Sequence, residues 1–481
     1  MLEVVTHKYL KEFLIKYPSE WKHIQSFGRI ISSFLRKEDN FLINSEIFLT
    51  DKWYAGALIP LFLNQEDSKL IISSDKIRDI IQNHLPLFKE LGFNFIVKNN
   101  QLIFKKHKIW FLDFDNLVSE YKKSNFQNQN IIFGEVDNLQ NDLNRNLRQT
   151  LDKKDWFNQI DKSLRNDELT KTYDLLKTKF FSKAVPNQKY IDLNINETFI
   201  LKRIIFKYAN FSYKFSSFKK AFESGWALWV VIDQDNFEWS LKAEPMDELN
   251  EIKDLFIKNE IIFLSSFRKD IFFQKYLGKY NIKIRSAINF KSCFNEKNIL
   301  IYLPSRLLLP NNPLFVDSTF NKCIKFFNLS RGVSILLSDE ISLKMTLATK
   351  LASIYGRRVL LENYPDFDNQ IVCSSYDWWI NNLHSISPPE QILIPLIPFP
   401  NMGEPLNQLK VFSIRSKSNN WFKEFMVPES FQKIEKAISP LRQNAGKLIF
   451  LDGRISHRGW GRDLLDMIKP QRKINYMFPF D

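Results

Sequence analysis

Short apolar runs alternate with stretches of helical spacing along the first 140 residues. Phe41-Leu-Ile-Asn-Ser and Lys69-Leu-Ile-Ile-Ser-Ser read as strands, while residues 20–36 and 75–90 read as helices, the second capped by Ser74 or Asp75. Phe93-Asn-Phe-Ile-Val, Ile109-Trp-Phe-Leu-Asp and Asn130-Ile-Ile-Phe-Gly add three more strands. Strands of this kind, interleaved with helices, predict a mainly parallel sheet covered on both faces, with ligands beyond the carboxyl ends of the strands.

From residue 140 to 222 the chain turns polar and keeps helical spacing, which predicts a helical insertion. Trp226 to Lys242 alternates around Asp233-Gln-Asp-Asn as a hairpin does, and Glu260-Ile-Ile-Phe-Leu-Ser-Ser returns to the buried-strand type. A second α/β unit follows, with strands near 298, 332, 358, 370, 391 and 447 and helices over 317–328, 340–355 and 418–438. The expected division is therefore 1–140 for a first domain, 141–222 for the insertion, 223–270 for a return to the first sheet and 271–481 for a second domain.

Composition narrows the class. The chain has 481 residues, 44% apolar and 25% charged, as a globular protein does. Its 68 Lys and Arg against 54 Asp and Glu leave +14, the electrostatic footprint of a nucleic-acid binder, although abundant Lys, Asn, Ile and Phe leave the partner open. The longest apolar stretch, Gln391-Ile-Leu-Ile-Pro-Leu-Ile-Pro-Phe-Pro400, is short and broken by proline, so no membrane span is expected. The N-terminus has no secretory pattern, and a cytoplasmic location is the expectation. Cys293, Cys323 and Cys373 are too few and too scattered for a disulfide framework, a four-thiolate zinc site or a four-cysteine iron–sulfur cluster, and read as buried thiols. No paired-histidine metal motif, G-x-S-x-G elbow or G-x-G-x-x-G turn occurs, which removes the warrants for a zinc hydrolase, an α/β hydrolase or a dinucleotide oxidoreductase.

One family pattern does fit. Ile438-Ser-Pro-Leu-Arg-Gln-Asn-Ala-Gly-Lys-Leu-Ile-Phe-Leu-Asp-Gly-Arg454, followed by Gly459-Trp-Gly-Arg462, resembles the C-terminal end of superfamily-two helicases of the DinG/XPD type. Leu393 to Leu406, with Pro-Phe-Pro-Asn-Met-Gly-Glu-Pro, resembles that family's L-P-F-x-x-P-x-x-P-L strand. Ile71-Ile-Ser-Ser-Asp to Leu85-Pro-Leu and Ile261-Ile-Phe-Leu-Ser-Ser-Phe resemble two further family segments, in the family's order. The resemblance implies two tandem RecA-like parallel-sheet domains, ATP with magnesium as cofactor, and single-stranded nucleic acid, chiefly DNA, as partner, with a repair or replication protein as a further partner.

The family's ATPase elements are altered here. In Ile47-Phe-Leu-Thr-Asp-Lys-Trp-Tyr-Ala-Gly-Ala-Leu-Ile-Pro60, Trp53 falls at the phosphate-binding lysine and Tyr54 at the magnesium hydroxyl, with Lys52 one residue early and Asp51 adding repulsion. Gly134-Glu-Val-Asp137 matches the acidic box: Glu135 is kept, Gly134 replaces the metal-holding carboxylate and Asp137 replaces the histidine. In the arginine motif Glu435, Ile438 and Ser439 replace the expected residues and Arg442 remains. The catalytic candidates are therefore Glu135, Asp137 and Arg442, and the nucleotide candidates Lys52 and Tyr54, beside plain loop and salt-bridge readings of the same residues. Residues 95–130 contain no cysteine, so the family's iron–sulfur cluster is not expected. Together these changes predict a helicase-like protein with lost or reduced ATP turnover; an active divergent helicase and a protein-interaction scaffold are the alternatives.

Candidates for the nucleic-acid surface, carried over from the resemblance, are Ser73, Ser74, Asn116, Ser374, Ser375, Trp378, Arg454, Arg458 and Arg462. For the serines helix capping competes with this role, for Trp378 core packing, and for the arginines a solvated helix face.

Overall fold

A computed structural model describes residues 2–36, 40–123, 126, 129–157, 167–184, 189–266, 274, 277–290, 298–304, 306–383, 385–416 and 419–474. Phe267, Cys293 and His384 lie outside the described residues.

The first parallel sheet is built from β1 (Phe41–Asn44), β2 (Ser68–Ile71), β3 (Phe95–Lys98), β4 (Gln101–Phe104), β5 (His107–Leu112) and β6 (Asn130–Phe133). The insertion contributes β7 (Gln149–Leu151), β8 (Tyr190–Asp192), β9 (Ala227–Asp233) and β10 (Glu238–Glu244), after which β11 (Glu260–Ser265) and β12 (Ser286–Asn289) return to the first sheet. Its order is β12-β1-β11-β6-β2-β5-β4-β3, parallel from β12 to β5, with the antiparallel β3–β4 hairpin at the edge. The central strands β2 and β6 are buried at every position, and the apolar runs Leu70-Ile71-Ile72 and Ile131-Ile132-Phe133 mark them in the sequence.

One face of this sheet carries the helices Leu2–Lys16, Ile24–Phe34 and Tyr54–Leu63, and a second apolar core fills the other face. The helix Tyr54–Leu63 is buried from Tyr54 through Phe62, because the N-terminal helices lie over it. Gly28 and Gly56 permit that crossing: a Cβ on Gly28 would stand 3.3 Å from the Gly56 carbonyl, and one on Gly56 would stand 2.7 Å from Phe27.

The insertion differs from its sequence expectation. Besides the helices Asp167–Lys183, Ile195–Tyr208 and Tyr213–Glu223 it holds an antiparallel sheet, β7-β10-β9-β8, with an apolar core of its own. The β9–β10 hairpin forms where the alternating pattern places it, from Ala227↔Glu244 to Asp233↔Glu238. It pairs with β7 and β8 rather than joining the first sheet, to which, among the described residues, β11 and β12 return. Alternation fixes which residues share a strand face but not which sheet the strand enters, and the partners β7 and β8 are only three residues long.

The second domain is a seven-stranded parallel sheet of β13 (Ile299–Tyr302), β14 (Ser334–Leu337), β15 (Val359–Leu361), β16 (Ile371–Ser374), β17 (Gln391–Ile394), β18 (Lys447–Phe450) and β19 (Gln471–Ile474), in the order β15-β16-β14-β17-β18-β13-β19. Apolar cores fill both of its faces. Cys323 and Cys373 are buried thiols in one of these cores. No described helix is long and apolar enough to cross a membrane.

Candidate nucleotide and nucleic-acid sites

In a parallel sheet the loops at the carboxyl ends of the strands converge, and the loop after β1 runs straight into the helix Tyr54–Leu63. A phosphate cradle needs free backbone N–H groups in such a loop. Here the loop uses them itself: Thr50 N donates to the Ile47 carbonyl at 2.9 Å, Lys52 N to Thr50 Oγ1 at 3.3 Å and Tyr54 N to the Asp51 carbonyl at 3.1 Å. The Lys52 ammonium pairs with Glu20. Tyr54 is buried, and its ring meets His84 edge to face at 4.9 Å.

Trp53 is wholly buried, with Phe48 at 5.6 Å and Phe27 at 6.4 Å between ring centroids. Its indole extends to the end of β6. A Cβ on Gly134 would stand 3.2 Å from Trp53 Cη2 and would collide with Cγ2 of Ile72. A side chain at position 134 would thus have to displace Ile72 and crowd the Trp53 indole. The indole N–H has no hydrogen-bond partner among the described residues, so packing alone holds the ring.

The acidic box is taken up inside the domain. Glu135 accepts from Ser73 N at 2.6 Å and pairs with Lys76 at 3.1 Å, with the two side chains 16% and 11% exposed. Burial works against the Glu135 carboxylate, yet the Lys76 ammonium and the Ser73 N–H outweigh it and hold its pKa below the usual range. Lys76 also donates to the Phe48 carbonyl at 2.7 Å. Asp137 accepts from Ser265 Oγ at 2.6 Å and from Ser266 N at 2.6 Å and Oγ at 2.5 Å, which ties it to the end of β11. Arg442 is 2% exposed and donates to the Ile468 carbonyl at 3.1 Å, inside the second domain.

Sequence reasoning singled out no protein-held metal site. One group of described side chains could supply metal ligands: Asp51, Asp79 and His84, with ligand atoms within 4.8 Å of one another. The His84 Nε2 stands 3.5 Å from each carboxylate, and the contact to His84 lowers the Asp51 pKa against the effect of burial.

On the nucleic-acid side the structure brings Ser73, Ser74 and Asn116 together. Ser74 is exposed and donates to Asp113 at 3.2 Å, and the same Asp113 caps the helix Phe114–Lys122 through Asn116 N at 2.7 Å. All three therefore sit at the carboxyl ends of the adjacent strands β2 and β5.

In the second domain the candidates fall at the ends of β16 and β18, three strand spacings apart, about 14 Å. Ser374 is buried, and Ser375 caps the helix Tyr376–Asn381 while bonding Glu362. Trp378 is half-buried against Tyr364. Arg454 forks onto Asp452, with its guanidinium over the Phe399 ring. Arg458 and Arg462 are exposed.

No protein-family model matches the sequence, and no curated protein matches it. Among solved structures, S. tokodaii Xpd4 aligns over 92% of this chain and 97% of its own, with TM-score 0.60 and 13% identity. An XPD structure in the apo form aligns over 94% and 100%, with TM-score 0.56 and 11% identity. An XPD helicase structure gives 94%, 99%, 0.56 and 11%. The fold is that of the XPD helicases.

Within the XPD fold two features of this chain escaped the sequence reading. Lys76 sits mid-helix with unremarkable spacing, and only the fold brings it to Glu135. Lys436, on the second-domain helix Val427–Ile438, donates to the Asp137 carbonyl at 3.0 Å and so bridges the two domains at the acidic box.

Proposed function

We propose that this chain is a helicase-shaped nucleic-acid-binding protein in which ATP turnover is lost or strongly reduced. The observation that supports the reading most is the packing of Trp53 beside Gly134, since the family resemblance gives position 53 to the phosphate-binding lysine and position 134 to the magnesium-holding carboxylate. The residues present therefore do not fit magnesium-ATP, and no hydrolytic step is derived through it. The Glu135 carboxylate is held by the Lys76 ammonium and the Ser73 N–H.

Binding is supported by the +14 excess and by the exposed Ser74, Asn116, Arg458 and Arg462 at strand ends of both domains. The proposed ligand is single-stranded nucleic acid, chiefly DNA, held through its backbone. The test pairs titration calorimetry of magnesium-ATP with anisotropy of a labelled single strand across a salt series. The reading expects no saturable ATP binding and an oligonucleotide affinity that falls with salt by about 0.7 log units per neutralised phosphate. Tight ATP binding or a flat salt response would reject it.

One observation favours a second reading, a protein-interaction scaffold. Ile195 and Phe199, one turn apart on the insertion helix Ile195–Tyr208, are 87% and 66% exposed. Single-strand affinity insensitive to salt would favour this reading.

A further inference from the structure

The two parallel-sheet domains are bridged by buried charge. Lys410, on the second-domain helix Pro405–Ser416, lies 3.0 Å from Glu248 of the first domain, and their side chains are 13% and 2% exposed. The same Glu248 oxygen accepts from Gln140 at 3.0 Å and Asn144 at 2.7 Å, both on the helix Leu139–Leu147 that begins two residues after Asp137. Glu248 thus sits in a socket that its own domain builds and the other domain completes.

The helix Val427–Ile438 supplies the second half of the bridge. Glu429, Lys433 and Lys436 stand at i, i+4 and i+7, hence on one face. Lys433 holds Asp339 and Asp377 of its own domain, each at 3.1 Å, at the ends of β14 and β16. Lys436 reaches across to the Asp137 carbonyl at 3.0 Å, and Asp137 is itself fixed by Ser265 and Ser266. Burial raises the Glu429 pKa, with Lys410 opposing the shift and Glu248 adding to it. The helix is therefore tied to its own sheet through Lys433 and to the first domain through Lys436, while the helix Pro405–Ser416 adds the Lys410–Glu248 pair.

We propose that this bridge is a built-in clamp that keeps the two domains closed without nucleotide, so that the grip on nucleic acid is constitutive. The proposal rests on the reading that nucleotide no longer drives closure. An ion pair this deep is tolerated only while both partners stay together, and partial opening leaves the Glu248 carboxylate buried without its opposite charge. Intermediate openings are thereby disfavoured, and the closed state is favoured over the half-open one.

The test uses the full chain in small-angle scattering, with and without magnesium-ATP, for the wild type, Lys410→Met and Lys436→Met. Melting curves check that each variant is folded, and Lys436→Met serves if Lys410→Met is not. The clamp predicts a wild type whose radius of gyration ignores ATP and a folded variant that is larger. The variant's Kd for a single-stranded oligonucleotide then rises by the reciprocal of its closed fraction, about tenfold if one molecule in ten stays closed. An open wild type without nucleotide, or folded variants of unchanged size and affinity, would overturn it. ATP turnover is scored separately. A hydrolysing protein that is closed without nucleotide sinks the functional reading alone, and a non-hydrolysing protein that is open sinks the clamp alone.

Discussion

The carboxyl edge of the first sheet divides into two halves of opposite character. On the β1–β11–β6 half, the charged groups matched to a nucleotide site are engaged within the protein: Lys52 has Glu20, Glu135 has Lys76, Asp137 has Ser265 and Ser266, and Trp53 lies beside Gly134. On the β2–β5 half, Ser74 and Asn116 stay exposed, as Arg458 and Arg462 do at the matching edge of the second sheet. One sheet thus carries a closed half and an open half. The difference teaches that one sheet edge can satisfy its polar groups within the protein on one side and leave them at the surface on the other.

The largest expected effect breaks the closed half. Trp53→Ala removes a fully buried indole from an aromatic cluster and should lower unfolding free energy by about 3–5 kcal/mol. Denaturant titration measures this, and no ATP turnover should appear, since the carboxylate at 134 is still missing.

Next comes Lys76→Met, which strands the Glu135 carboxylate at 16% exposure and should cost about 3 kcal/mol near neutral pH. The sign with pH follows from the depressed Glu135 pKa. Its stabilisation is present above 4.5, the ordinary glutamate value, and is lost as pH falls through the lower folded value. Wild type and variant should therefore converge in acid, and a gap that persists there would contradict the Glu135–Lys76 account.

The open half is sharpened by Arg458→Glu with Arg462→Glu. Oligonucleotide Kd should rise about tenfold or more at low salt, and the salt slope should shrink by about 1.4 if each arginine meets one phosphate. Stability should stay within about 0.5 kcal/mol, because both side chains are exposed.

The smallest effect tests the boundary between the halves and the second domain. Burial raises the Asp142 pKa to about 6; Arg145 opposes this, and Glu135 adds to it. A raised carboxyl stabilises the fold below 3.8 and loses that contribution as pH rises through about 6. Asp142→Asn should thus gain about 1–2 kcal/mol at pH 8 and nothing near pH 4, as read by denaturant midpoints at the two pH values.

Much of the fold was legible in the sequence. The strands β2, β6, β11 and β18 announce themselves as buried apolar runs, and the Asp233 turn announces the β9–β10 hairpin. The sheet that the hairpin enters was not legible, because its partner strands are too short to carry a pattern. In the site, the identities of Trp53 and Gly134 were readable, but their contact was not, since 80 positions separate them and only the adjacency of β1, β11 and β6 brings them together. Lys76 and the pair Lys410–Glu248 were invisible for the same reason: a lysine on a helix carries no sign of whether its ammonium meets water or a buried carboxylate.

The measurement that tests the central claim most directly is magnesium-ATP hydrolysis by the purified chain, with and without single-stranded DNA, beside Glu135→Gln. The account predicts equal, background-level rates in wild type and variant under both conditions. Turnover that rises with DNA and disappears in Glu135→Gln would contradict it and make Glu135 the working base of a divergent helicase.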